Sequence, residues 1–84
     1  MKAVVTVTLK SGVLDPQGKA IQSALGSLGF GDVASVRQGK IFEIDLAESD
    51  PARAAAELKD MAEKLLANIV VENYRVELVQ GMDE

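Results

Sequence analysis

The 84-residue chain has no cysteine, no histidine and no tryptophan, and only three aromatic residues, Phe30, Phe42 and Tyr74. Each absence excludes a class of chemistry. Without Cys or His there is no thiolate nucleophile, no imidazole base, no disulfide framework and none of the usual zinc ligands. Long apolar runs are also missing. The stretch Ala3 to Leu9 is interrupted by Thr6 and Thr8 and is far shorter than the roughly 20 residues of a membrane span. Met1-Lys2 opens directly into a patterned strand, so a mature cytoplasmic protein is expected. Positive charge is scarce, nine Lys plus Arg against thirteen Asp plus Glu for a net charge of −4. That balance argues against attraction to phosphate backbones or anionic lipid, so neither nucleic acid nor membrane is an expected partner.

What is present describes one small domain spanning residues 1–84, with 48% hydrophobic side chains. A chain this short buries only about 60 to 65% of its unfolded surface, so self-association is expected. From Ala3 to Leu9 apolar and β-branched residues alternate, with Ala3, Val5, Val7 and Leu9 on one side, which predicts a strand. Asp15 followed by Pro16 predicts a helix start, with Asp15 as the cap. The expected buried face is Ile21, Ala24, Leu25 and Leu28, closed by Gly29 at the C-terminal cap.

Val33 to Arg37 is expected as a short strand that turns at Gln38-Gly39 into a second strand over Ile41 to Leu46. Ser49-Asp50-Pro51 repeats the capping device. It opens a longer helix through Leu66, whose stripe is Leu58, Met61, Ala62, Leu65 and Leu66. Ile69 to Val79 reads as the last strand, and Gln80 to Glu84 as a frayed acidic tail. The order βαββαβ predicts an α+β, ferredoxin-like fold: a four-stranded antiparallel sheet with both helices on one face. The other face would carry Val4, Thr6 and Ile41 among charged residues, a candidate homo-oligomer interface.

Two elements draw attention as candidate sites. The loop Gly12 to Gly18 sits at a helix N-terminus, where free amides can hold an anion, but Asp15 places a negative charge there. An ordinary capped connection accounts for Asp15, Pro16 and Gly12, leaving Gln17 as an exposed amide. Arg37 and Lys40 flank the expected turn and could receive a carboxylate, a phosphate or an acidic surface; on chemistry alone an exposed turn with solvated charges is the favoured account, because turns are routinely polar. Glu43 and Asp45 lie two apart on an outward strand face, where carboxylates stay ionised and wet. No catalytic, cofactor-binding or metal-ligating residue is expected. The aromatics do not suit RNA stacking, and no basic phosphate loop of the acylphosphatase kind is present. A dimeric regulatory domain binding a small ligand between protomers remains an alternative.

The run Gly12-Val13-Leu14-Asp15-Pro16-Gln17-Gly18, with Ala20-Ile21, Ala24-Leu25, Val36-Arg37, Gly39-Lys40, Lys64 to Asn68, Val70 to Glu72 and Tyr74, resembles the small-subunit family of phosphoribosylformylglycinamidine synthase. The resemblance covers nearly the whole chain up to Gln80. It implies a non-catalytic subunit of a ligase complex in purine biosynthesis. A large subunit would use ATP and Mg to activate formylglycinamide ribonucleotide, and a glutaminase subunit would release ammonia. A dimer of the small subunit would join the two. On that implication Asp15, Pro16, Gln17, Gly18, Arg37 and Lys40 form the partner interface.

Overall fold

The computed structural model describes residues 1–79. The first strand, β1 (Lys2–Leu9), leads through a loop to helix α1 (Pro16–Ser27). A connection without regular secondary structure then enters β2 (Gly39–Asp45). Helix α2 (Pro51–Met61) continues into a single π-helical turn (Ala62–Leu66), and β3 (Glu72–Val79) completes the described chain. The sheet is antiparallel, in the order β2-β1-β3.

The alternation in β1 sets the layering. Ala3, Val5 and Val7 are all at most 2% exposed and pack with Leu58, Ala62 and Ala67. Phe42 and Ile44 of β2, and Tyr74, Val76 and Leu78 of β3, border this core. Small residues on α2 permit a close approach to the strands: Ala54 and Ala62 are fully buried beside Leu58. Burying each of Val5, Val7 and Leu58 contributes about 1.5–3 kcal/mol. On the opposite sheet face Val4 stands across from Glu43 and Glu77, and Thr6 across from Ile41 and Arg75. Ile41 is 64% exposed there.

Four expectations are corrected. The sheet has three strands, because residues 33–38 form no strand before β2. A two-residue hairpin needs positive φ at its centre, and neither Gln38 nor Gly39 has it: the positive-φ residues among those described are Gly12 and Gly29. Secondly, α1 does not cover the sheet. Its only buried residue is Gly18, no α1 residue joins the core, and Ile21 and Leu28 are 40% and 73% exposed.

Thirdly, Leu65 is 83% exposed instead of lying on the apolar stripe. The Ala67 amide donates to the Ala62 carbonyl, five residues back, and the extra residue in that turn rotates Leu65 away from the sheet. Lastly, β3 begins at Glu72, and residues 69–71 form a turn. Asn68 takes that backbone: its carbonyl accepts from the Val71 and Glu72 amides, and its side chain accepts from Val70. The tail, Gln80 to Glu84, lies outside the described residues.

The core assignment is checked by paired substitutions. Leu58→Ala is expected to lower unfolding free energy in denaturant titration by about 2–5 kcal/mol. Leu65→Ala, removing the same atoms from an exposed position, should change it by less than about 0.5 kcal/mol.

Candidate functional site

Asp15 sits at the N-terminus of α1, and both of its carboxylate oxygens are engaged. Oδ1 accepts from the Gly18 amide at 2.9 Å, which caps the helix. Oδ2 accepts from the Gln38 amide, also at 2.9 Å, at the entry to β2. One side chain therefore ties the start of α1 to the backbone 23 residues onward. The two neighbouring glycines leave no room for anything larger. A Cβ on Gly18 would overlap the Val36 carbonyl oxygen and lie 2.6 Å from Asp15 Oδ2. A Cβ on Gly39 would lie 2.5 Å from the Val7 carbonyl oxygen and 2.7 Å from Thr8 Cγ2.

Beside this joint is a shallow recess of about 250 Å³, lined by Thr8, Asp15, Gln17, Gln38, Lys40 and Glu72 among others. It is smaller than the roughly 300–1,000 Å³ of sites that bury a small molecule. Lys40 lies with its ammonium 5.8 Å from the centre of the Phe42 ring, a cation–π contact that limits where the charge can swing. Pro16, Gln17 and Arg37 are exposed. The structure thus divides the candidate residues into two kinds. Asp15 and Gly18 build the joint, while Gln17 and Lys40 border the recess and Arg37 stands next to Gln38 with its side chain in solvent. Among the described residues there is no cluster of acidic side chains able to hold a metal ion. No described helix is long and apolar enough to cross a membrane.

The electrostatics follow from the joint. Hydrogen bonds from the Gln38 and Gly18 amides, in that order, together with the Arg37 charge, hold the Asp15 carboxyl below the usual Asp range, against a smaller opposing effect of burial. At the same end of the sheet, on the other flank of β1, the Tyr74 hydroxyl donates to Glu63 Oε2 at 2.5 Å. That bond to the ionised neighbour is the main reason the Tyr74 phenol is pushed up. The Glu63–Tyr74 and Asn68–Glu72 contacts were not singled out in the sequence. The only local signal is the Asn itself, whose side chain commonly bonds backbone two residues on.

A depressed carboxyl pKa stabilises the fold above the unfolded-state value, and that stability is lost as pH falls through the folded-state value. Asp15→Asn replaces one acceptor oxygen by an amide that faces a donor. It should lower the thermal unfolding midpoint at neutral pH, and the gap between wild type and variant should close as the solution is acidified below the Asp range. An undiminished gap at low pH would show that the carboxylate charge is not what the joint uses. Gly18→Ala should lower the midpoint at every pH.

With this geometry in view, the comparisons with known proteins are consistent throughout. The family model for PurS, described as phosphoribosylformylglycinamidine (FGAM) synthase, matches residues 2–80. The PurS subunit of Bacillus subtilis is 48% identical over 77 residues, covering 92% of this chain and 90% of that protein. The PurS subunit of Mycobacterium leprae is 47% identical over 89% of this chain and 91% of its own. A crystal form of B. subtilis PurS superposes with a TM-score of 0.80 at 49% identity, over 90% of this chain and 94% of that one. A chain in the structure of PurLQS from Thermotoga maritima superposes with a TM-score of 0.85 at 31% identity, over 93% and 95%. The chain belongs to the PurS family, the subunits of phosphoribosylformylglycinamidine synthase in purine biosynthesis.

Proposed function

We propose that this chain is the non-catalytic small subunit of a glutamine-dependent phosphoribosylformylglycinamidine synthase, that it acts as a homodimer, and that it docks the glutaminase subunit onto the ATP-dependent synthetase subunit. The observation that carries this reading is the match, over nearly the whole chain, to a chain within the multi-subunit PurLQS structure. The residue inventory fits it. A chain with no Cys and no His is poorly equipped to make or break bonds, and ATP and Mg belong to the large subunit on this reading. Ammonia released at one site is lost to water unless the second site is held against the first and the route is shielded. A rigid adaptor meets that requirement by geometry alone.

Gln17, Arg37 and Lys40 are the side chains suited to meeting a larger subunit. They are exposed, yet the backbone that carries them is immobilised by Asp15 and its two amide donors. Holding donors in place before binding reduces the entropy lost when the partner arrives. Arg37 and Lys40 would supply charge-assisted hydrogen bonds, and Gln17 a neutral amide.

The decisive assay is amidation of formylglycinamide ribonucleotide by the two larger subunits, with and without this chain. Glutamine-dependent turnover should collapse without it while ammonia-dependent turnover persists; equal persistence of both would remove the adaptor role. Arg37→Ala combined with Lys40→Ala should weaken assembly about tenfold, equivalent to roughly 1.4 kcal/mol. Undiminished binding would take those two cations out of the interface.

A further inference from the structure

Helix α1 carries polar side chains that the fold leaves largely unused. Lys19, Gln22, Ser23 and Gly26 recur at the i, i+3, i+4, i+7 spacing that places them on one helical face. That face forms one wall of a cleft of about 360 Å³, and Phe30, Gly31 and Val33 form the other. Unlike the recess beside Asp15, this volume falls within the range of sites that bury a small molecule.

Three hydrogen bonds hold the two walls together. The Phe30 amide donates to the Leu25 carbonyl at 3.0 Å, and the Val33 amide to the Phe30 carbonyl at 3.4 Å. Gln22 Nε2 donates across to the Ala34 carbonyl at 3.2 Å. The cleft is therefore shaped before any ligand arrives, which reduces the entropy lost on binding. Phe30 nevertheless remains 54% exposed. Gly26 and Gly31 add no side chain to the space, and a Cβ built on either would meet nothing within 4 Å. An open slot that contains an aromatic ring accepts a planar group by stacking.

The polar groups follow in order away from that slot. With Nε2 spent on Ala34, Gln22 keeps Oε1 as an acceptor, and neither it nor the Ser23 hydroxyl has a partner among the described residues. Lys19 lies about 10 Å from Gly26 along the helix axis and has no carboxylate partner among the described residues. Asp32 stands between Gly31 and Val33 in sequence and does not line the cleft. The net charge of −4 opposes a polyanion spread over the surface, but a single anionic group met by one directed donor is a local matter.

We propose that this cleft binds a nucleoside monophosphate. The phosphate meets Lys19, the sugar hydroxyls lie against Gln22 Oε1 and the Ser23 hydroxyl, and the base stacks on Phe30 over Gly26. The order of cation, hydroxyl-binding groups and ring along the groove matches the order of phosphate, sugar and base. An inorganic anion would use one end of the cleft, and an uncharged aromatic compound the other. All the lining residues come from one copy of the chain and none is Gln17, Arg37 or Lys40, so the site goes beyond the adaptor role and does not rest on it.

The test is a titration of the isotope-labelled full chain with adenosine monophosphate, read by amide chemical shifts. Saturable shifts confined to residues 19–34 are expected, with adenosine and inorganic phosphate each binding about tenfold more weakly or worse. Gly26→Leu fills the slot where a side chain meets nothing and introduces a better helix former. That variant should keep its thermal unfolding midpoint and lose the shifts. Lys19→Ala and Phe30→Ala should each weaken binding about tenfold, while Lys19→Arg should retain it. No saturable shift at millimolar nucleotide, shifts centred outside residues 19–34, phosphate alone binding as tightly as the nucleotide, or binding undiminished by Gly26→Leu or Lys19→Ala would each overturn the assignment.

Discussion

The carboxylate of Asp15 holds two amides that belong to different parts of the chain, Gly18 in the first turn of α1 and Gln38 at the mouth of β2, and the shape of the protomer depends on that double acceptance. A cap needs only one oxygen. The second oxygen, spent on Gln38, prevents residues 38 and 39 from folding back as a hairpin and fixes the direction in which α1 leaves the sheet. Gly18 and Gly39 are the steric counterpart of the same constraint, since each stands where a side chain would strike backbone. The motif Asp15-Pro16-Gln17-Gly18 and the residues Val36 to Gln38 are thus two halves of one joint, far apart in sequence and in contact in space.

Local signals were legible where a single element decided them. The alternation of Ala3, Val5 and Val7 placed β1 and its buried face, and Asp15-Pro16 and Asp50-Pro51 placed both helix starts, since cap chemistry acts within one turn. Gly29 ended α1 with φ +102° as a C-terminal cap residue does. The errors arose where a distant group competed for the same backbone. Gln38-Gly39 has turn composition, but a carboxylate 23 residues earlier claims its amide. Val70 and Val71 have strand propensity, but Asn68 folds them into a turn. Leu65 has the right spacing for a regular helix and the wrong one for a π-helical turn. Periodicity reports what a segment prefers, and here hydrogen bonds over longer separations override it.

The candidate site was legible in part, and for a physical reason. Residue type and spacing brought forward Asp15 as a cap and Gln17, Arg37 and Lys40 as exposed polar groups, but could not show that Asp15 also takes the Gln38 amide. The hydrogen bonds separate them: both Asp15 oxygens are engaged by backbone amides of its own chain, whereas the Gln17 and Arg37 side chains are exposed. Lys40 is intermediate, its charge held near the Phe42 ring. Glu72 entered the recess unforeseen, because a strand residue 32 positions beyond Lys40 carries no sequence mark of that neighbour.

The proposed adaptor role imposes one demand on the chain. An adaptor must present its recognition groups at a fixed spacing. A small domain whose helix swings freely about a loop cannot do so, and 84 residues bury too little surface to hold that helix by packing alone. The double hydrogen bond of Asp15 to the Gly18 and Gln38 amides removes part of that freedom without adding sequence. Gln17, Arg37 and Lys40 lie beside the Asp15 joint, so on the proposed adaptor reading that joint fixes the spacing of the groups that would meet the larger subunits. The sparse chemistry of the sequence fits that reading: holding a distance needs well-placed hydrogen bonds and neither a nucleophile nor a metal.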